Sequence, residues 1–134
     1  MDLSHLNVGR LTALVEFTLD AAAMKGRPGY RSGVRPNHWM PGREYAFVGQ
    51  LDFVDREWLR PGEMCEAKGN FIIPEQDLPS FLPGFAWQVG EAYKIVGHCK
   101  LLSIQGTYER LPARADVLRE PEDAEKDPNA RAKT

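Results

Sequence analysis

Between residues 26 and 39 the chain gathers Arg27, Tyr30, Arg31, Arg35, Asn37, His38 and Trp39. Arginine carries a planar fork of donors, and aromatic rings supply large rigid surfaces. Together they are the usual anchors of protein interfaces. The same residue types can hold RNA, with guanidinium on phosphate and ring on base. Against both uses stands a structural one, in which Arg35-Pro36 and Trp39 only fix a corner of the fold.

Other chemistry is thinner. Cys65 and Cys99 lie far apart, with no CxxC spacing, and read as two small buried free thiols. His98 adjoins Cys99 on a run that looks like a strand, so the two side chains point to opposite faces and cannot chelate one ion together. Two ligands do not complete a zinc site, and neither thiol has a surrounding motif that would make it a nucleophile. A small hydrolase or metal enzyme using Cys99 and His98 is the weakest reading of the chain. Asp52 and Glu66 could meet across a hairpin as paired carboxylates, or simply be exposed strand charges. No GxxxxGK(S/T) phosphate loop occurs, so nucleotide hydrolysis by that route is absent. No catalytic residue, metal, cofactor or small-molecule substrate is expected.

The whole chain limits the alternatives further. At 134 residues it is expected to form one domain large enough to bury a core. A net charge of -2 gives no general attraction to nucleic acid, although a local basic patch stays open. The N-terminus has no basic start followed by an apolar run, and no stretch approaches the roughly 20 apolar residues of a membrane helix. Reduced cysteines and these absences together point to the cytoplasm.

The elements that must position the cluster read as strands. Residues 45–53 place Tyr45, Phe47, Gly49, Leu51 and Phe53 on alternate positions, with Gln50 and Asp52 between them. Residues 11–19 alternate in the same way through Leu11, Ala13, Val15, Phe17 and Leu19. That period of two predicts half-buried strands. A helix over 11–24 is the rival there, extended by Ala21-Ala22-Ala23. Further strands are predicted at 64–73, 85–89 and 93–104, with Gly97 marking a bulge or close approach. Loops cover 20–32 and 74–84, a short extended piece covers 33–39, and residues 90–92 form a tight turn. Pro-Gly pairs at 28–29, 41–42, 61–62 and 83–84 punctuate these runs, and 61–62 fits the centre of a type II turn. Trp58 is expected to cap a barrel end, and Phe81-Leu82 to form a small exposed patch. The expectation is an all-β, six-stranded antiparallel barrel over residues 1–104, closed to remove its edges. Residues 105–134 are charged and poor in large apolar groups, and read as a flexible tail or, around 113–120, a short helix.

Several short motifs, in order, bear on a family. Leu14-Val15-Glu16-Phe17, Gly26-Arg27, Gly33-Val34-Arg35-Pro36, Arg60-Pro61-Gly62-Glu63, Gly84-Phe85-Ala86-Trp87-Gln88-Val89 and Ile95-Val96-Gly97 follow one another over residues 11–104. In this the chain resembles the C-terminal β-barrel domain of translation elongation factor Tu. The third motif is similar to that family's Gly-Tyr-Arg-Pro, and the fourth to its Met-Pro-Gly-Asp turn. The resemblance implies a six-stranded antiparallel barrel without the GTPase domain. That family's Arg-Glu-Gly-Gly-Arg turn helps form its tRNA surface. Here the matching place reads Gly90-Glu91-Ala92-Tyr93-Lys94, with Lys94 the basic residue left.

Two functions follow as expectations. The first is a non-enzymatic, cytoplasmic module that binds a protein through Arg27, Tyr30, Arg31, Arg35, Asn37, His38 and Trp39, with a decoy or immunity-type inhibitor as one form of it. The second is RNA binding linked to translation, through Arg27, Arg31, Arg35 and Lys94.

Overall fold

The computed structural model describes residues 6–112. Eight strands are present: β1 (Val8–Leu19), β2 (Tyr30–Arg31), β3 (Asn37–Trp39), β4 (Ala46–Phe53), β5 (Trp58–Leu59), β6 (Met64–Pro74), β7 (Ala86–Glu91) and β8 (Lys94–Leu111), with a 3-10 helix at Glu75–Ser80 after β6. Six of them close an antiparallel barrel in the order β1-β6-β4-β3-β7-β8, and β2 and β5 form a separate two-stranded sheet. Closure pairs both edges of the wall and removes the open ladder that an isolated sheet would present.

The alternation read from residues 11–19 and 45–53 is the wall itself. Leu11, Ala13, Val15, Phe17 and Leu19 are buried, as are Tyr45, Phe47, Leu51 and Phe53. A helix at 11–24 is excluded, because every inward residue of β1 is two positions from the next, and β1 is paired on both sides, with β6 and β8. Phe17, Phe47 and Phe71 are the largest fully buried side chains. Burying such a side chain contributes about 1.5–3 kcal/mol. The barrel is narrow enough that Phe71 needs room made for it. A Cβ on Gly49 or Gly69 would lie 2.2 Å from the Phe71 ring.

The turns follow their chemistry. The glycine of each Pro-Gly pair has positive φ, and at 61–62 the Glu63 amide donates to the Arg60 carbonyl at 3.0 Å. Beyond the short β3, residues 33–34 take over the wall, through a bridge between Val34 and Leu51.

Several boundaries differ from the expectation. β7 continues through Gly90 to Glu91, so the turn falls at Ala92-Tyr93, with Ala92 at φ 51°. The ladder shifts register between Val89 and Gly90. Gly97 opposite it is a close approach, where a Cβ would lie 2.2 Å from the Thr18 carbonyl oxygen. The 74–84 loop contains the 3-10 helix, and the 20–32 loop ends in β2. β8 runs beyond Ile104 to Leu111 and pairs with the start of β1. Tyr108 tacks this extension down. Its ring lies over Gly9, and its hydroxyl donates to the Ile73 carbonyl at 3.1 Å. Residues 103–107 are exposed, so they carry no apolar alternation that would mark a strand. The helix considered at 113–120, like the rest of 113–134, lies outside the described residues. No described helix is long and apolar enough to cross a membrane.

Candidate functional site

The arginine-aromatic cluster divides in the fold: Tyr30, Arg35 and Asn37 line one cleft with Glu91, Arg31 turns to Glu57, and Trp39 lines a separate groove. Arg27 and Tyr30 form a clamp on Glu91 of β7. Arg27 Nη1 and Nη2 donate to the Glu91 carboxylate at 2.7 and 3.0 Å, and the Tyr30 hydroxyl donates to it at 2.8 Å. The Arg27 guanidinium also lies 5.9 Å from the Tyr30 ring centroid. Hydrogen bonding from Arg27 holds the Glu91 carboxyl below its ordinary range, while burial and then the Glu91 contact push the Tyr30 phenol up. Arg31 reaches across the small sheet, its Nε donating to Glu57 at 2.9 Å, and Arg35 Nε donates to Gln50 Oε1 at 2.9 Å. Each of the four residues already has a hydrogen-bond partner within the chain. Lys94 sits opposite Glu91 at the mouth of the β7–β8 turn.

Asn37 is buried, and His38 is completely so. His38 occupies the barrel interior, stacked on Phe47 and edge-on to Phe71, with centroids 5.1 Å away in each case. Trp87 Nε1 donates to His38 Nδ1 at 2.9 Å. That leaves His38 Nε2 to carry the proton and donate to the Gly49 carbonyl at 3.1 Å. Burial drives the imidazole pKa down to about 4, so the ring is neutral and fully satisfied. The expectation that His38 meets a partner directly is corrected by this position: it is a core polar group at a strand position facing inward.

Trp39, next along β3, faces outward. Its indole lies over Gly90 of β7, where a Cβ would come 2.7 Å from Trp39 Nε1. Glycine at 90 is thus needed for close approach. Trp39 Nε1 is the one buried side-chain nitrogen or oxygen without a hydrogen-bond partner among the described residues.

Around Trp39 the outer faces of β3, β7 and β8 form a groove of about 620 Å³. Trp39, Gln88 and His98 make one row across it. The register shift in β7–β8 lets Ile95 and His98 face the same side, although they are three positions apart. Tyr93, 55% exposed, stands at one end. Arg43, from the turn before β4, stands in the wall. Arg43 Nε donates to Asp77 Oδ1 at 3.1 Å. Asp77 is buried on the 3-10 helix and also accepts a short hydrogen bond from the Tyr45 hydroxyl, which in turn accepts from Gln76 Nε2 at 3.0 Å. Burial and the Asp77 contact push the Tyr45 phenol up to about 12.

The remaining candidates separate. His98 is exposed, while Cys99 beside it is fully buried, with its thiol pushed well up by burial. Cys65 and Cys99 lie opposite Phe17 from its two flanking strands, both as free thiols. No cluster of metal-ligating side chains exists among the described residues. Asp52 stands opposite Lys68, and Glu66 opposite Glu16, so the two carboxylates considered as a pair do not face each other. Trp58 is on the small sheet beside Arg31 and is 43% exposed. Of the expected Phe81-Leu82 patch only Leu82 is exposed, since Phe81 packs edge-on to Phe47.

No protein-family model matches the sequence, and no curated protein matches it. Trp39 is the one member of the sequence-derived cluster that lines the groove; His98, singled out in the sequence only beside Cys99, lines it too, and Arg43, Tyr93 and Ile95 are the members that sequence reading missed. Tyr93 and Ile95 did carry a signal, as apolar residues at strand positions of the same parity. Arg43 carried none, because what singles it out is a buried carboxylate distant in sequence.

Proposed function

We propose that the chain is a non-enzymatic protein-binding module of the cytoplasm, built on a barrel similar to the C-terminal domain of elongation factor Tu. The outer groove of β3, β7 and β8 is its contact surface. One observation carries this reading: Trp39, Tyr93 and Ile95 line an open groove on a wall whose other outward residues are mostly polar. Aromatic anchors beside an arginine are the usual energetic centre of a protein interface. The arginines that an RNA surface would use are engaged by Glu91, Glu57 and Gln50. A decoy or immunity-type inhibitor, directed at a factor that recognises elongation factor Tu, is the form suggested by the sequence resemblance.

The test is affinity capture from lysate, with and without RNase, using the wild-type chain and Ile95→Asp, each checked for folding by circular dichroism. A protein retained by the wild type after RNase and lost with Ile95→Asp supports the module. RNA enriched by both chains and removed by RNase overturns it in favour of RNA binding through Arg27, Arg31, Arg35 and Lys94.

A further inference from the structure

We infer that the groove receives an extended peptide segment of a partner protein that carries an apolar side chain with a carboxylate one or two residues away. This rests on the protein-binding reading and names the chemistry of the partner. The apolar side chain lies against Trp39, Tyr93 and Ile95, and the carboxylate pairs with Arg43.

Charge sets the sign of the occupant. Among the described residues no aspartate or glutamate lines the groove, and Asp77, which pairs with Arg43, is buried behind it. What Arg43 presents to the groove is its exposed guanidinium, which favours a carboxylate and disfavours a basic group.

The position of Arg43 sets the place of the carboxylate. Asp77 is only 2% exposed, whereas Arg43 is 45% exposed. The contact with Asp77 uses Arg43 Nε, so the Nη groups remain for a second carboxylate. Asp77 is itself held from its other oxygen by Tyr45. A guanidinium fixed from behind loses little conformational freedom when it binds, and arginine-carboxylate pairs are directional as well as strong. The groove volume of about 620 Å³ suits a few side chains of the partner. The arrangement also joins the 3-10 helix to the turn before β4, and the experiment must separate that structural role from recognition.

Random peptides displayed on phage are selected against the purified full chain. The most enriched peptide is then synthesised and its affinity measured by fluorescence anisotropy. Enrichment of apolar-acidic pairs is expected. Arg43→Gln should weaken the synthetic peptide roughly ten-fold, as should replacing the peptide carboxylate by its amide on the wild type, with no further loss when both changes are combined. Arg43→Lys keeps the charge and guards against a variant that merely fails to fold. Independent, additive losses would overturn the Arg43 assignment and leave a peptide groove. Enriched peptides without an acidic residue would overturn the charge argument in the same way. If the folded chain enriches no peptide while still capturing an Ile95-dependent protein from lysate, the peptide occupant falls and the module survives. If neither occurs, both fall. Displacement of the peptide by a single-stranded RNA oligonucleotide at low salt would overturn the peptide in favour of nucleic acid.

Discussion

Two tryptophan-histidine sets sit on opposite sides of the same wall. Inside, Trp87 donates to His38, and both rings pack among Phe47 and Phe71. Outside, Trp39 and His98 share a groove, and Trp39 Nε1 has no partner among the described residues. The residue types match, but the surroundings differ. The inner set has lost all water and so must satisfy each polar atom internally, which fixes tautomer, register and packing. The outer set lines a groove, where the buried Trp39 Nε1 goes without a hydrogen-bond partner among the described residues and Tyr93 is exposed. Stability belongs to the first region, and recognition is what we propose for the second.

That division can be broken experimentally, beginning with the inner set. Phe71→Ala should cost about 3–5 kcal/mol in urea denaturation, since Phe71 fills the space left by Gly49 and Gly69. If the loss is under about 1 kcal/mol, the interior is not packed as described.

The pH dependence comes next. His38 has its pKa lowered from 6.5 to about 4 by burial, so the unfolded chain binds its proton first as pH falls. Stability should be intact above pH 6.5 and drop by about 3 kcal/mol as pH falls toward 4. The Glu91 carboxyl, held low by Arg27, loses its contribution only below its ordinary 4.5. The upper part of the window therefore reports His38. His38→Leu should flatten the urea midpoint between pH 6.5 and 5, and an unchanged slope there would remove the buried-neutral assignment.

Gly90→Ala joins the two regions. The added Cβ meets both Trp39 Nε1 and the Lys94 carbonyl at 2.7 Å, so the indole and the β7–β8 turn must shift. A loss of about 1–3 kcal/mol is expected, with a change in tryptophan emission. Peptide affinity should fall further than stability explains. Tyr30→Phe removes one donor to Glu91 and should cost about 1.5 kcal/mol by thermal melt, with the groove's binding unaltered. His98→Gln, on the exposed side, should change stability by less than about 0.5 kcal/mol. A larger effect would mean that the outer row also supports the fold.

Much of the fold was legible because it is written locally. Alternation in residues 11–19 and 45–53, and four Pro-Gly turns, specify strands and reversals without reference to anything distant. Where a strand is exposed the signal fades, which is why the end of β8 reads as tail in the sequence although Tyr108 and its ladder with β1 hold it on the barrel. The site was less legible. Arg27, Tyr30, Arg31 and Arg35 are close in sequence, but Arg27 and Tyr30 share Glu91 while Arg31 turns to Glu57 and Arg35 to Gln50, and these partners are up to 64 positions away.

By its order of side chains alone, the chain determined that it would be an all-β barrel, which residues would face the core, and that Gly49 would be an inward position. The tertiary structure decided which histidine is buried and which exposed, which carboxylate holds each arginine, and that Trp39, Arg43, Tyr93 and Ile95 share one groove. The reason is range. A strand's two faces follow from neighbours two residues apart, whereas a groove across three strands depends on register, and here on a one-residue shift between β7 and β8 that no local pattern records.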